Sequence, residues 1–347
     1  MAAEVTFSAE RWNGVPFTGS SIPSIKETIR IQVAEAATGD GVCRRKIDLW
    51  LGNSQLHSIN YQQPADHLAP YWLRKANACP NDYIPLGISL PNASLQEHLV
   101  LAHYVTARMS VSRIIISLTF DDLREDGLRN EFASLLSDHD RNRLRTGSAG
   151  RAIIERAEAE WHTSAGGGKS DGGPLEGFVQ KHVEDRLNAA LSQVSRMWAQ
   201  RANLQNAVLY DLYFARNALL GIKPTTVRKI IRPRYQRNIA ALQSLLEHMR
   251  AAGIPALAYI TPIRQNPNPP YDSAEYEAWK QEVAELAQRT GARLINLEKL
   301  VPDDQWGSYI GDEVDFMHFR GKGHQMLAEA VGIELAKVER GSSAERR

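Results

Sequence analysis

Cysteine is almost missing from this chain, with two in 347 residues, too few for a thiolate metal cluster or a disulfide-built scaffold. No apolar run reaches the roughly 18 residues that a membrane-spanning helix needs. Net charge is also scarce: 41 basic residues against 40 acidic leave +1, which gives no global electrostatic case for nucleic acid or an anionic membrane as partner. The ten histidines are scattered without zinc-ligand spacing, so neither a metal nor another cofactor is expected. No internal repeat is visible. The opening residues, Met1-Ala2-Ala3-Glu4-Val5-Thr6, lack the basic start and long apolar stretch of a signal peptide. The expectation is a cytoplasmic protein, or an extracytoplasmic (periplasmic) one whose N-terminal anchor has been removed, with membrane association only through a segment outside this sequence.

What is present is an ordinary globular composition, 43% hydrophobic and 23% charged, enough for one large or two modest domains. Five apolar segments, about 46–51, 83–89, 112–118, 255–261 and 292–297, alternate with helical patterns. That alternation predicts an α/β fold, a three-layer α/β/α sandwich around a five-stranded parallel sheet. Helices are expected over 94–109, 236–252 and 273–290, with Gly253 and Gly291 ending the last two. The division is 1–122 with 236–336 for the α/β/α domain, 123–235 for a long, mainly helical insertion, and 337–347 for a polar tail.

Helical stretches at 151–161 and 176–220 make up most of the insertion, which reads as a cap over the active site, an interaction platform or plain structural elaboration. A glycine-rich stretch from Ser164 to Pro174 interrupts it. Gly166-Gly167-Gly168-Lys169-Ser170 lies there but lacks the spacing and preceding strand of a phosphate loop. The basic run Arg228-Lys229-Ile230-Ile231-Arg232-Pro233-Arg234-Tyr235-Gln236-Arg237 would suit an anionic substrate or phospholipid heads, or else a solvated helix and turn. Pro267, Pro269 and Pro270 indicate an extended loop after the fourth strand.

Two short motifs carry the chemistry. The first apolar segment breaks at Gly52-Asn53-Ser54-Gln55 and continues into a helix start. A serine on such a turn exposes Oγ at the carboxyl end of a parallel strand, where helix-start N–H groups can stabilise an oxyanion. Capping by Asn53 or Ser54 is the plainer reading of the tetrapeptide. Near the other end, Asp315-Phe316-Met317-His318 precedes a glycine-bounded turn and an amphipathic helix. An Asp so close to a His can reach Nδ1 on a tight loop and turn Nε2 toward a serine. Ser54, Asn92, Thr119, Thr261 and His318 all fall at or after expected strand ends, where open α/β sheets bind ligands.

With these two blocks the sequence resembles the SGNH (GDSL-type) hydrolase superfamily, over roughly residues 45 to 335 in arrangement. The resemblance implies Ser54 as nucleophile, His318 as general base and Asp315 as its orienting acid, with His324 structural. The family's middle blocks, which supply a glycine N–H and an asparagine amide to the oxyanion, match poorly: Leu90-Pro91-Asn92-Ala93 and Leu118-Thr119-Phe120-Asp121-Asp122 stand in their places. Asn92, Thr119 and Asn53 are therefore the candidates for oxyanion or substrate binding. An ionised Asp121 or Asp122 aimed at the oxyanion would oppose it, and one lost donor costs on the order of 3 kcal/mol in the transition state. Such departures are similar to those of the divergent branch that includes D-alanine-transfer and polysaccharide O-acetylation proteins.

The resemblance thus implies an esterase working through an acyl-Ser54 intermediate, on O-acyl, most plausibly acetyl, esters of a carbohydrate or a small molecule. The alternatives are an O-acyltransferase of cell-envelope polysaccharide and a silent binding scaffold. It also makes the first two strands neighbours, which brings Cys43 and Cys79, just before them, toward disulfide range. Thiol counts in unfolded protein, with and without reductant, decide this. A rise with reductant demonstrates the bridge, and equal counts reject it.

Overall fold

The structure, a computed structural model, describes residues 17–18, 25–27, 30, 46–76, 83–165, 223–308 and 314–344. Cys43, Cys79, the stretch 176–220 and most of the glycine-rich segment lie outside these residues. The chain divides into two compact units, Val5–Trp161 with Val227–Arg347, and Met1–Glu4 with His162–Thr226. The second falls almost wholly outside the described residues. Residues 123–161, read from sequence as the start of the insertion, belong to the first.

That first unit is built on a parallel sheet. Its strands are β1 (Phe17–Thr18), β2 (Lys46–Gly52), β3 (Tyr83–Ser89), β4 (Val111–Leu118), β5 (Ala256–Ile260) and β6 (Arg293–Asn296), in the order β1-β3-β2-β4-β5-β6. The five expected strands form, and the two-residue β1 adds an edge too short to show in the sequence pattern. From β2 the chain moves outward to β3 and then returns to the other flank as β4. The order therefore reverses at β2, and the crevice beyond its carboxyl end is the topological switch point.

Strand alternation explains the layers. Leu49, Leu51, Ile114, Ile116, Ala258 and Ile260 face one core, while Trp50, Ile115, Leu257 and Tyr259 face the other. A short helix, α1 (Ser54–His57), follows β2, and α2 (Ala69–Ala76) precedes β3. Between β3 and β4 lies α3 (Leu95–Thr106), started by Ser94 and Glu97 in a reciprocal capping box. A 3-10 turn, Phe120–Arg124, leads from β4 to α4 (Phe132–Leu135), α5 (Asp138–Leu144) and α6 (Ser148–Ala165). Phe132, Leu135, Leu144 and Ile154 from these helices are buried in the first core.

Next come α7 (Arg232–Ala251) and, after β5, α8 (Ser273–Thr290). Gly253 and Gly291 follow them at φ 67° and 72°, left-handed positions that a Cβ would strain. An antiparallel pair, β7 (Trp306–Ser308) and β8 (Val314–Phe319), stands outside the main sheet and leads into α9 (Gly321–Ala344). This helix runs through residues 337–344 of the expected polar tail, beyond Leu335, the last buried apolar residue described on it. Leu73 of α2 packs with Leu327, Val331 and Leu335 of α9 in the second core, and α3 packs on α7 in the first.

The basic run is a clasp rather than an open patch. Arg228 pairs with Asp121, Arg237 with Asp126, and Arg234 donates to the Arg124 carbonyl. Asp121 also accepts from the Tyr271 hydroxyl.

Within the sheet, Asp48 of β2 and Arg113 of β4 sit directly opposite and form a two-pronged ion pair, 0% and 6% exposed. Neither stood out in the sequence, because a buried charge has no signature until its partner strand is known. Breaking such a pair from one side leaves a charge in a low-dielectric interior and typically costs about 3–5 kcal/mol. Arg113→Met should therefore lower the urea-unfolding free energy by about that much, and Asp48→Leu with Arg113→Met should recover most of it. Equal stability of Arg113→Met and wild type would refute a structural role for the pair.

Candidate active site

Ser54 opens α1 one residue after β2, on the expected strand-to-helix turn. Gly52 is needed there for space: a Cβ would stand 2.9 Å from Leu56 Cβ and 3.1 Å from Ser117 Oγ. Asn53 caps the helix, its Oδ1 accepting from Gln55 N–H at 3.0 Å. Capping and exposure of the serine thus coexist, divided between two adjacent residues.

His318 arrives from β8, with its Nε2 2.9 Å from Ser54 Oγ and its Nδ1 3.0 Å from Asp315 Oδ2. The motif occupies the strand itself, not the loop expected after a last strand. The three-residue reach closes because Asp315 Oδ1 accepts the backbone N–H groups of Met317 and His318, at 2.9 and 3.0 Å. Asn60 Nδ2 donates to Asp315 Oδ2 at 2.8 Å. Burial alone would raise the Asp315 pKa; the His318 imidazole and the two backbone donors outweigh it and hold the carboxyl below its usual range. An ionised Asp315 selects the tautomer with a proton on Nδ1, which leaves the Nε2 lone pair for the serine proton.

Two residues that the sequence motifs did not single out hold this geometry. Gln55 Nε2 donates to the carbonyls of Pro262 and Met317, both at 2.8 Å. Asn60 adds its backbone N–H to the Phe319 carbonyl at 3.0 Å. Their one sequence clue was adjacency to the serine motif.

The three expected oxyanion or substrate-binding residues are placed differently. Asn53 Nδ2 turns inward to Thr119 Oγ1 and Asp122 Oδ1, at 2.8 and 2.9 Å. Thr119 is 3% exposed and shares a hydrogen bond with Thr261 Oγ1 at 3.0 Å. Neither side chain lies at the open face of the site, since both brace the turn from beneath. Asn92 is exposed on the turn after β3 at φ 50°, a left-handed position that asparagine tolerates. Ser54, as the first residue of α1, has a backbone N–H with no intrahelical acceptor. Asp121 and Asp122 are also turned away, the first to Arg228 and Tyr271, the second under Asn53.

Three buried histidines surround the turn. His57 Nδ1 meets Ser89 Oγ at 2.8 Å, His98 Nε2 lies 3.4 Å from the Gly52 carbonyl, and His324 Nε2 lies 3.0 Å from the Ser58 carbonyl. Burial lowers His57 to about 4, with His318 adding to the effect, and lowers His98 to about 4 and His324 to about 3. All three are neutral at pH 7, so none adds a positive charge beside His318.

No family model matches the sequence, and comparison with curated proteins finds no match. Solved structures similar to the chain include a GDSL-like lipase from Bacteroides thetaiotaomicron, at 11% identity and TM-score 0.38, over 90% of this chain and 97% of that one. An acetylxylan esterase from Geobacillus stearothermophilus matches at 12% identity and TM-score 0.37, over 84% of this chain and 94% of that one. At this distance the functional reading rests on the geometry of the site.

The histidines make stability depend on pH. A free imidazole protonates near pH 6.5 and these only near 4 or below, so across that window the unfolded chain binds more protons and stability rises with pH. At ~1.4 kcal/mol per pH unit, each contributes on the order of 3 kcal/mol that disappears on acidification. The urea midpoint should drop clearly between pH 7 and pH 4.5, and less so in His98→Asn. An unchanged midpoint would contradict the neutral-histidine assignment.

Proposed function

We propose that the chain is a serine ester hydrolase of the SGNH kind, with Ser54 as nucleophile, His318 as general base and Asp315 as its orienting carboxylate. One observation carries this reading: Ser54 Oγ, His318 and Asp315 form a continuous hydrogen-bonded line at the switch point of a parallel sheet. A structural Ser–His contact needs neither a carboxylate saturated by three N–H donors on the far side of the ring nor a position beyond the strand ends.

Chemistry follows from the placement. Ser54 Oγ attacks the ester carbonyl carbon as its proton passes to His318 Nε2, and the imidazolium formed is stabilised by Asp315. The carbonyl oxygen takes up the electron pair, facing the Ser54 N–H at the helix start. As the tetrahedral adduct collapses, His318 returns the proton to the leaving alkoxide and acyl-Ser54 remains. A second hydroxyl, giving its proton to the same Nε2, then attacks the acyl carbon, and as the Ser54 Oγ–acyl bond breaks His318 returns that proton to Ser54 Oγ.

When that hydroxyl is water the reaction is hydrolysis, and when it belongs to a sugar it is O-acyl transfer. The substrate class proposed is an O-acyl ester, acetyl foremost, of a carbohydrate or a small molecule. A second reading, a binding scaffold without turnover, draws on the inward-facing Asn53 and Thr119, which leave the oxyanion with few side-chain donors.

A serine-directed fluorophosphonate should add one phosphonyl group to Ser54, read by mass spectrometry, and Ser54→Ala should take none. Ser54→Ala and His318→Ala should each lower kcat on a small acyl ester by at least about 10³-fold, and the double variant should be no worse than either single one. Asp315→Asn should lose less, because it chiefly misorients the imidazole. Unlabelled wild type, or full turnover by Ser54→Ala, would leave the scaffold reading in place of the enzyme.

A further inference from the structure

Beneath the Ser54 turn lies a polar cluster that the proposed reaction does not use directly. Asn53, Thr119, Asp122 and Thr261 are 4%, 3%, 2% and 3% exposed, and they come from the carboxyl ends of β2, β4 and β5. Their hydrogen bonds form one chain. Asp122 accepts Asn53 Nδ2–H on Oδ1 at 2.9 Å and the Thr119 backbone N–H on Oδ2 at 3.3 Å. The other Asn53 Nδ2 proton goes to Thr119 Oγ1, which meets Thr261 Oγ1. Asn53 Oδ1 is thereby left facing the Gln55 N–H, the bond that starts the helix carrying Ser54.

A buried carboxyl is a costly way to fill space. Among the described residues no cation pairs with Asp122; the charges that act on it are the acidic Asp121 and Glu125. Apolar side chains of similar volume would be at least as stable in such a place. What they would not do is fix the Asn53 amide: only an acceptor at Asp122 and another at Thr119 dictate which way it points. An amide turned the other way would face the Gln55 N–H with its own N–H groups and release the first turn of α1.

Resting on the esterase reading above, we propose that Asp122 is a positioning residue for the nucleophile. Acting through Asn53, it locks the α1 start to the ends of β4 and β5, so that Ser54 Oγ is held on the line to His318 Nε2. Such a lock matters because a misplacement of about 1 Å in a reacting group costs on the order of 10²-fold in rate. Burial, aided by Asp121, pushes the Asp122 carboxyl well above the usual carboxylate range despite the Asn53 hydrogen bond.

The test compares the full-length chain with Asp122→Ala, Asp122→Asn and Thr261→Val, reading kcat and KM on p-nitrophenyl acetate, the rate of fluorophosphonate labelling of Ser54, and the thermal midpoint. Asp122→Ala should lower kcat and the labelling rate by about 10²-fold, with KM within about threefold. Asp122→Asn keeps an oxygen for Asn53 Nδ2 and should recover about a tenth or more of wild-type kcat. Thr261→Val, which shortens the chain at its far end, should fall between them. If Asp122→Ala fails to fold, the other two decide on the same pattern of lowered kcat at unchanged KM. Folded variants with wild-type kcat and labelling rate would overturn the positioning role. So would losses that vanish when the assay is cooled well below each thermal midpoint. Absence of labelling in the wild type would remove the esterase reading itself, whereas a labelled wild type with unaffected variants would remove only the role of Asp122.

Discussion

The side-chain amide of Gln55 joins three parts of the chain that the sheet alone does not connect. Its two N–H groups reach the carbonyls of Pro262, just beyond β5, and Met317, on the strand that carries His318. The β7–β8 pair is not part of the parallel sheet, so nothing in the sheet's hydrogen bonding brings His318 to Ser54. That distance is set by a few bonds from the stretch after the nucleophile: Gln55 to Met317, and Asn60 to Phe319 and Asp315. The second core reinforces them, because Phe319 and α9 pack against Trp306, Leu56 and Leu73. Residues 54–60, with the Arg264 N–H that bonds the Phe316 carbonyl at 3.2 Å, thus tie the Ser54 turn and the His318 strand together.

Electrostatics divides the site in a consistent way. Asp315 is buried, yet it is surrounded by donors and an imidazole, so the charged form prevails. Asp122 is equally buried, and burial, helped by acidic neighbours, pushes its carboxyl well above the usual range despite its two donors. Two carboxyls close to one serine thus shift in opposite directions: burial raises both, and only at Asp315 do the imidazole and the N–H donors outweigh it. In the proposed reaction only Asp315 faces a group that becomes positive, so only its charge is called for. The neutral His57, His98 and His324 follow the same logic, since further imidazolium ions near His318 would discourage it from accepting a proton.

Much of the architecture was legible in the sequence because it is local. The five apolar runs became strands within one residue or so of the expected bounds, since a parallel strand covered by helices on both faces is mostly apolar. Gly52-Asn53-Ser54 and Asp315-Phe316-Met317-His318 were legible as a pair because each brings its chemistry within four residues. Properties that depend on partners distant in sequence were not. Asn53 reads as a possible oxyanion donor until Thr119 and Asp122, on another strand end, are seen to claim its amide. The insertion was placed at 123–235 because the segment between the third and fourth strands is far longer than an ordinary crossover, and within it Phe132, Leu144 and Ile154 pack into the core. Asp48 and Arg113 could not be matched before the β2–β4 register was known.

The oxyanion is where the chemistry is most constrained. The Asn53 and Thr119 side chains are turned inward and the Gln55 N–H is bonded to Asn53, which leaves the Ser54 N–H as the helix-start donor of the proposed reaction. An oxyanion held there would tolerate little error in the donor's direction, because an N–H···O bond weakens steeply as it bends. Rigidity of the turn then matters for two separate reasons. It aims Oγ at His318, and it aims the adjacent N–H at the carbonyl oxygen. Gly52, too close to Leu56 and Ser117 for a Cβ, the Asn53 cap and the Gln55 fork all restrict the same four residues. A side-chain oxyanion donor could adjust to the substrate, whereas a backbone donor must already be in place, so a turn braced from three strand ends is what a site with few donors requires.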